Sequence, residues 1–268
     1  MVTNKIRPLL YGAAFFSMLA FSHAEATLKI ALLDTGFCIE KAEIKSSKHI
    51  IETVQDMSSA QKFDCSKVTA LELETSGRFH GQKVLNEFLS YLKKDIEVTI
   101  YPLVIYDQTS TQTKEAWLKS IEFINEKKID MVLTASGLVN GPKIVNELPS
   151  IWFIPSGRLE RLIDKTTVLF PQNLAPKPNI FVIGDYFDGK TNFYDQALIY
   201  QDQIDYYFPS GKKKFTGTSR AVAHAMAVAL NYCFIPKDII AAHSLRLCLM
   251  NKSRVLRDPV LKKDFKTF

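Results

Sequence analysis

The sequence predicts a doubly wound, mostly parallel α/β sheet with helices on both faces. Three observations point to it. Short, nearly unbroken apolar runs at residues 28–33, 131–134, 151–154 and 180–184 have the length and composition of strands buried on both faces. Between them, apolar residues recur at helical spacing, as in Val84, Leu85, Phe88, Leu89 and Leu92. Three of the runs end in small or polar residues, Asp34-Thr35-Gly36, Ala135-Ser136-Gly137 and Pro155-Ser156-Gly157. Such residues at the carboxyl edge of a parallel sheet occupy the place where open α/β folds build their sites.

The chain opens with Lys5 and Arg7, an apolar run from Leu9 to Phe21, and Ser22-His23-Ala24. This pattern reads as a secretory leader over residues 1–24, cleaved after Ala24, because the run is shorter than the roughly 20 residues a membrane span needs. An uncleaved anchor is the alternative. Cleavage leaves residues 25–268 as one domain, with no stable membrane span, in the periplasm or outside the cell. Of the 268 residues 47% are apolar, enough for one sizeable core. The net charge of +6 becomes +4 when Lys5 and Arg7 leave. No basic stripe interleaved with aromatics accompanies it, so no nucleic acid is expected as partner. Lys212-Lys213-Lys214 reads as a solvated loop.

Four cysteines in an exported chain predict two disulfides. Cys38 with Cys65 and Cys233 with Cys248 is the favoured pairing, since each closes a short local loop worth about 3 kcal/mol in the chain-entropy model. Buried free thiols are the alternative. No C-x-x-C spacing suggests zinc or a redox dithiol. Asp188, Asp195, Asp202 and Asp205 match no calcium-loop spacing, so no cofactor or metal is expected; structural calcium is the alternative, without support from the spacing.

Taken in order, residues 28–33 form the first strand and set Asp34 at its carboxyl end. Residues 37–76 give no clear periodicity. An amphipathic helix then starts near His80, with Val84, Leu85, Phe88, Leu89 and Leu92 inward and Gln82, Lys83, Asn86, Glu87, Ser90 and Lys93 on the other face. His80 lies one turn before Val84, facing the sheet that carries Asp34. Val98 to Tyr106 reads as a strand in which Pro102 implies an irregularity or missing hydrogen bonds on one side. Lys114 to Glu126 reads as a helix with Trp117, Leu118, Ile121 and Ile124 inward. Strands follow at 131–134, 151–154 and 180–184, then polar and aromatic sequence through Tyr207. An alanine-rich helix runs from Ser219 to about Tyr232, a last helix covers about Lys237 to Met250, and a basic tail ends the chain.

The turn Phe215-Thr216-Gly217-Thr218-Ser219-Arg220 enters the alanine-rich helix directly. A hydroxyl there can act as an ordinary cap. It can also act as a nucleophile beside unpaired N–H groups and the positive end of the helix dipole. His224 lies five residues on, at a different angle around the helix, and is not placed to serve Ser219 as a base. The order Asp34, His80, Ser219, each at the end of an element, supplies the acid, base and nucleophile of acyl-transfer chemistry.

With these residues in place, the chain resembles the subtilisin-like serine proteases over nearly all of its length beyond the leader. Ile30-Ala31-Leu32-Leu33-Asp34-Thr35-Gly36 is similar to the family's aspartate motif. His80-Gly81-Gln82-Lys83-Val84 is similar to its histidine motif, and Gly217-Thr218-Ser219-Arg220-Ala221-Val222-Ala223-His224 to its serine motif. Residues 129–137 resemble the strand lining the substrate cleft, and Phe170-Pro171 and residues 179–184 resemble further family segments. The resemblance implies that Ser219 attacks a peptide carbonyl, His80 carries the proton, and Asp34 orients the imidazole. It implies a substrate cleft walled by Ser136, Gly137, Leu138, Ile154, Pro155 and Ser156, and a polypeptide substrate or protein partner. Arg158 stands where the family has an asparagine oxyanion donor, a group whose loss costs about 10²–10³ in turnover in that family. Ala223 replaces a common proline and Ala135 a common serine. Two further readings are a non-catalytic peptide-binding module of the same fold, and an esterase using Asp238 and His243. The second needs its acid and base too close to the serine helix.

Overall fold

The computed structural model describes residues 27–59, 64–107, 109–144, 148–157, 168–187, 190–191, 203–211, 215–233, 242–257 and 264–268. The leader expected over residues 1–24 lies outside them, as do Arg158, Asp188, Asp195, Asp202, Lys212-Lys213-Lys214 and Asp238.

The strands are β1 (Leu28–Asp34), β2 (His49–Ile51), β3 (Gln55–Asp56), β4 (Val98–Val104), β5 (Met131–Thr134), β6 (Leu138–Val139), β7 (Ile151–Pro155), β8 (Leu169–Phe170), β9 (Ile180–Phe187), β10 (Lys190–Thr191), β11 (Tyr206–Pro209), β12 (Arg254–Arg257) and β13 (Asp264–Thr267). The helices are α1 (Ala70–Thr75), α2 (His80–Tyr91), α3 (Lys114–Lys127), α4 (Thr218–Cys233) and α5 (Ala242–Lys252). One sheet runs in the order β12, β13, β11, β9, β7, β5, β1, β4, β2, with β3 also on β4 and β10 on β9, while β6 and β8 pair separately. From β2 to β11 its central ladders are parallel. The chain has the doubly wound, mostly parallel α/β architecture that the alternation of apolar runs and helices predicts.

The strands at the centre are apolar throughout because both faces are covered. On one face α2 and α4 pack with Leu32, Leu133, Phe153 and Phe181 in a continuous core. On the other, α3 brings Trp117, Ile121 and Ile124 against Leu33, Val132 and Ile154. Leu118, expected inward, is 45% exposed. Residues 117, 121 and 124 hold the buried stripe, and 118 stands about 100° around the helix from Trp117. Gln82, expected on the polar face of α2, is also buried, because its amide accepts from Cys38 N at 2.8 Å and donates to Asn86 Oδ1 at 2.9 Å.

Pro102 sits in the middle of β4, opposite Leu32 of β1. On its other side the neighbouring strand is interrupted, β2 pairing with residues 98–100 and β3 with 103–104. That gap is where an N–H-less residue leaves the ladder unmade. The basic tail carries β12 and β13, an antiparallel pair added to the sheet edge through β11.

Both expected disulfides form, Cys38 to Cys65 across 27 residues and Cys233 to Cys248 across 15. The first ties the loop leaving β1 to a 3₁₀ turn at Cys65–Lys67, and the second joins the end of α4 to α5. Among the described residues no helix is long and apolar enough to cross a membrane.

Candidate active site

The carboxyl end of β1 delivers Asp34 fully buried, with its neighbours β4 and β5 on either side. Its Oδ1 accepts from the Thr35 backbone N–H at 2.7 Å. Its two oxygens lie 2.8 and 3.0 Å from Nδ1 of His80, the first residue of α2. Two backbone features bring the helix so close. Gly81 N donates to Thr35 Oγ1 at 3.0 Å, and Gly36 N to Arg78 O at 2.8 Å. A Cβ on Gly81 would stand 2.7 Å from the Phe37 ring and 3.0 Å from Asp34 Cβ, so only glycine allows this approach. The imidazole side chain remains 29% exposed, and its edge meets the Phe215 ring at 5.5 Å between centroids.

Ser219 occupies the first turn of α4. Gly217 turns the chain into the helix at φ +82°, a region other residues avoid. Its N–H donates to Ser210 O at 3.2 Å, and its carbonyl receives the first helical hydrogen bonds, from Arg220 and Ala221. Ser219 precedes both, at the end where helical N–H groups point outward and the dipole is positive.

His80 and Ser219 line one cleft of about 480 Å³. Ala135, Ser136, Gly137, Pro155 and Gly157 line it from the ends of β5 and β7, and Lys83, Phe215 and Thr216 also border it. The Ser136 hydroxyl is held by a directed chain. Trp117 Nε1 can only donate, and gives its proton to Gln112 Oε1 at 2.7 Å. That fixes the amide so that Gln112 Nε2 donates to the Tyr106 hydroxyl, which donates in turn to Ser136 Oγ at 3.0 Å. Burial, reinforced by the nearby charge of Asp34, pushes the Tyr106 phenol up to about 12, so it stays protonated.

Gln172 borders the same cleft. Its Nε2 donates to Pro155 O at 2.9 Å and to Ser136 O at 3.3 Å, bridging the ends of β7 and β5. Its Oε1 is buried without a hydrogen-bond partner among the described residues, and lies 2.9 Å from where a Cβ on Gly137 would stand.

Of the residues expected to wall the cleft, Ser136, Gly137 and Pro155 line it. Ile154 does not. It is fully buried in the core on the α3 side, because β7 alternates its side chains between the two faces. Leu138 pairs with Phe170 in the small sheet, and Ser156 is fully buried with its hydroxyl unpartnered among the described residues. Arg158 lies outside the described residues. His224 points away from the cleft, stacked on Tyr91 at 3.8 Å and edge-on to Phe208. Burial, with the Arg220 cation one turn away, brings its imidazole down to about 4. His243, the base of the esterase alternative, is exposed on α5. Among the described residues no group of three or more His, Cys, Asp or Glu gathers to hold a metal. Sequence reasoning missed Tyr106, Gln172 and Lys83. Tyr106 follows the end of β4 beside β1, so the carboxyl-edge rule could have marked it, while Gln172 had no such signal.

No protein-family model matches the sequence, and no curated protein matches it. Solved structures do. The fold is similar to that of a cold-adapted subtilisin-like serine proteinase, with a TM-score of 0.56 and 12% identity over 90% of this chain and 87% of that one. Lower similarity is found to a serine-to-alanine mutant of the protease domain of PatA, with a TM-score of 0.47, 12% identity and coverage of 75% and 77%. The prenylagaramide maturation protease PagA follows, with a TM-score of 0.45, 14% identity and coverage of 75% and 73%.

Proposed function

We propose that this chain, folded as a subtilisin-like α/β sheet, is an exported serine endopeptidase that hydrolyses peptide bonds through an acyl-enzyme. One observation carries the reading: the buried Asp34 carboxylate engages Nδ1 of His80 at 2.8 and 3.0 Å, on the wall of a cleft that Ser219 shares. With Nδ1 committed to Asp34, the proton-accepting nitrogen is Nε2. Ser219 Oγ attacks the scissile carbonyl as its proton passes to Nε2, and the imidazolium, stabilised by Asp34, returns that proton to the leaving amine. Water then repeats the cycle on the acyl-enzyme. The start of α4 directs its dipole and N–H groups towards the developing oxyanion, and Arg158, which stands in the sequence where the family has its asparagine, is the candidate for the second donor. The two disulfides fit an oxidising compartment.

A fluorophosphonate probe tests this. Wild-type protein is expected to label, Ser219→Ala not at all, and peptide cleavage to vanish in His80→Ala. The arginine at position 158 also motivates a second reading, a peptide-binding module of this fold without turnover. Peptide affinity with no probe labelling and no cleavage would establish that one instead.

A further inference from the structure

Arg220 follows the nucleophile directly, yet its side chain turns away from the cleft and is only 16% exposed. Its Nε lies 2.7 Å from Glu87 Oε1, itself 17% exposed, in an ion pair of charges rather than an aligned hydrogen bond. Its Nη2 donates to the Tyr91 hydroxyl at 2.7 Å and its Nη1 to Pro209 O at 3.1 Å. Gly211, at φ +81°, leaves room beside the guanidinium, where a Cβ would stand 2.7 Å from Nη1.

Glu87 and Tyr91 belong to α2, the helix that starts at His80. Glu87 is seven residues from His80, two turns on, and so shares its face. Contacts between α2 and α4 step along both helices in the same direction. Arg220 meets Glu87 and Tyr91, His224 stacks on Tyr91, and Asn231 bonds the Tyr91 carbonyl and the Lys93 N–H. Of these, only the Arg220 contacts lie in the first turn of α4, beside Ser219. We propose that the Arg220–Glu87 pair, with Tyr91 and Pro209, staples the nucleophile's turn to the base's helix and sets the distance between Ser219 and His80.

Arg220 is thus a positioning residue, and its role rests on the endopeptidase reading above. Taking Arg220 away leaves a carboxylate that burial already pushes up and that Arg220 holds down, so the pair is sensitive to loss of either member. A shift of about 1 Å between reacting groups can cost about 10²-fold in rate.

The test compares wild type, Arg220→Met, Arg220→Lys and Glu87→Gln for probe labelling, peptide kcat and KM, and circular dichroism. Arg220→Met is expected to lower kcat and labelling rate by about 10- to 100-fold with KM within about twofold, because ground-state binding is untouched. Arg220→Lys, which keeps the charge beside Glu87, is expected in between. Glu87→Gln, which removes the charge facing Arg220, is expected to lower kcat and labelling rate in the same way with KM within about twofold. Should Arg220→Met not fold, Glu87→Gln alone decides. Wild-type kcat in folded Arg220→Met or in Glu87→Gln overturns the staple while leaving the endopeptidase reading standing. A wild-type protein that neither labels nor cleaves overturns both.

Discussion

Asp34 is fully buried and brings both carboxylate oxygens to Nδ1 of His80, at 2.8 and 3.0 Å, while the imidazole stays 29% exposed. The carboxylate is sealed from solvent while the imidazole borders the cleft. Asp34→Asn presents an amide whose NH₂ can favour the tautomer carrying its proton on Nε2, so that nitrogen cannot accept one. The expected loss in kcat is about 10⁴-fold with little change in KM. Steady-state hydrolysis of a chromogenic peptide measures it, and a loss under tenfold would remove Asp34 from the mechanism.

Gln172 bridges the carbonyls of Ser136 and Pro155 at the cleft. Gln172→Ala vacates that space and unties the two strand ends. The cleft should accept larger side chains before the scissile bond, and the two carbonyls left without the amide should cost about 1–3 kcal/mol in stability. A peptide-library profile and a thermal melt read the two effects independently.

His224 carries a pH dependence of stability. Its imidazole titrates at about 4 in the folded chain against an ordinary 6.5. Between those values the unfolded chain binds more protons, so stability rises with pH and is lost as pH falls through the window, by up to about 3 kcal/mol. His224→Phe keeps a ring for the stack on Tyr91 and removes the titration. Its denaturant midpoint should therefore vary less than that of wild type over the same range, and an unchanged slope would place the effect elsewhere.

The two disulfides should differ in consequence. Their loops of 27 and 15 residues are each worth about 3 kcal/mol or slightly more in the chain-entropy model. Cys38 is buried and its N–H donates to Gln82, next to the segment that holds His80 against Asp34. Cys38→Ser with Cys65→Ser is expected to lower both stability and kcat. Cys233→Ser with Cys248→Ser, at the far end of α4, is expected to lower stability alone.

Much of this molecule is legible in its sequence where one physical rule dominates. Double burial makes β1, β5, β7 and the start of β9 plain apolar runs, and the short loops make both cysteine pairings readable. Periodicity misled at Leu118 and Gln82. At Leu118 the wheel position lies just off the buried stripe. At Gln82 a long-range hydrogen bond to Cys38 overrides the polar side chain. Strand β11 is a four-residue aromatic run ending in proline, too short to show a period, and the edge pair of β12 and β13 mixes charged and apolar types, so tertiary pairing decides them. In the site, Asp34, His80 and Ser219 stand at element ends and could be named. Gln172 and the Arg220–Glu87 contact join segments distant in sequence, and no local pattern announces them.

Asp34 and His80 come from β1 and α2, whereas Ser219 arrives on α4 after most of the sheet has been specified. Synthesis therefore delivers the Asp34–His80 pair long before Ser219. On the endopeptidase reading, a chain made from its N-terminus would hold its proton acceptor before its nucleophile, and the onset of reactivity would follow the order of its own elements.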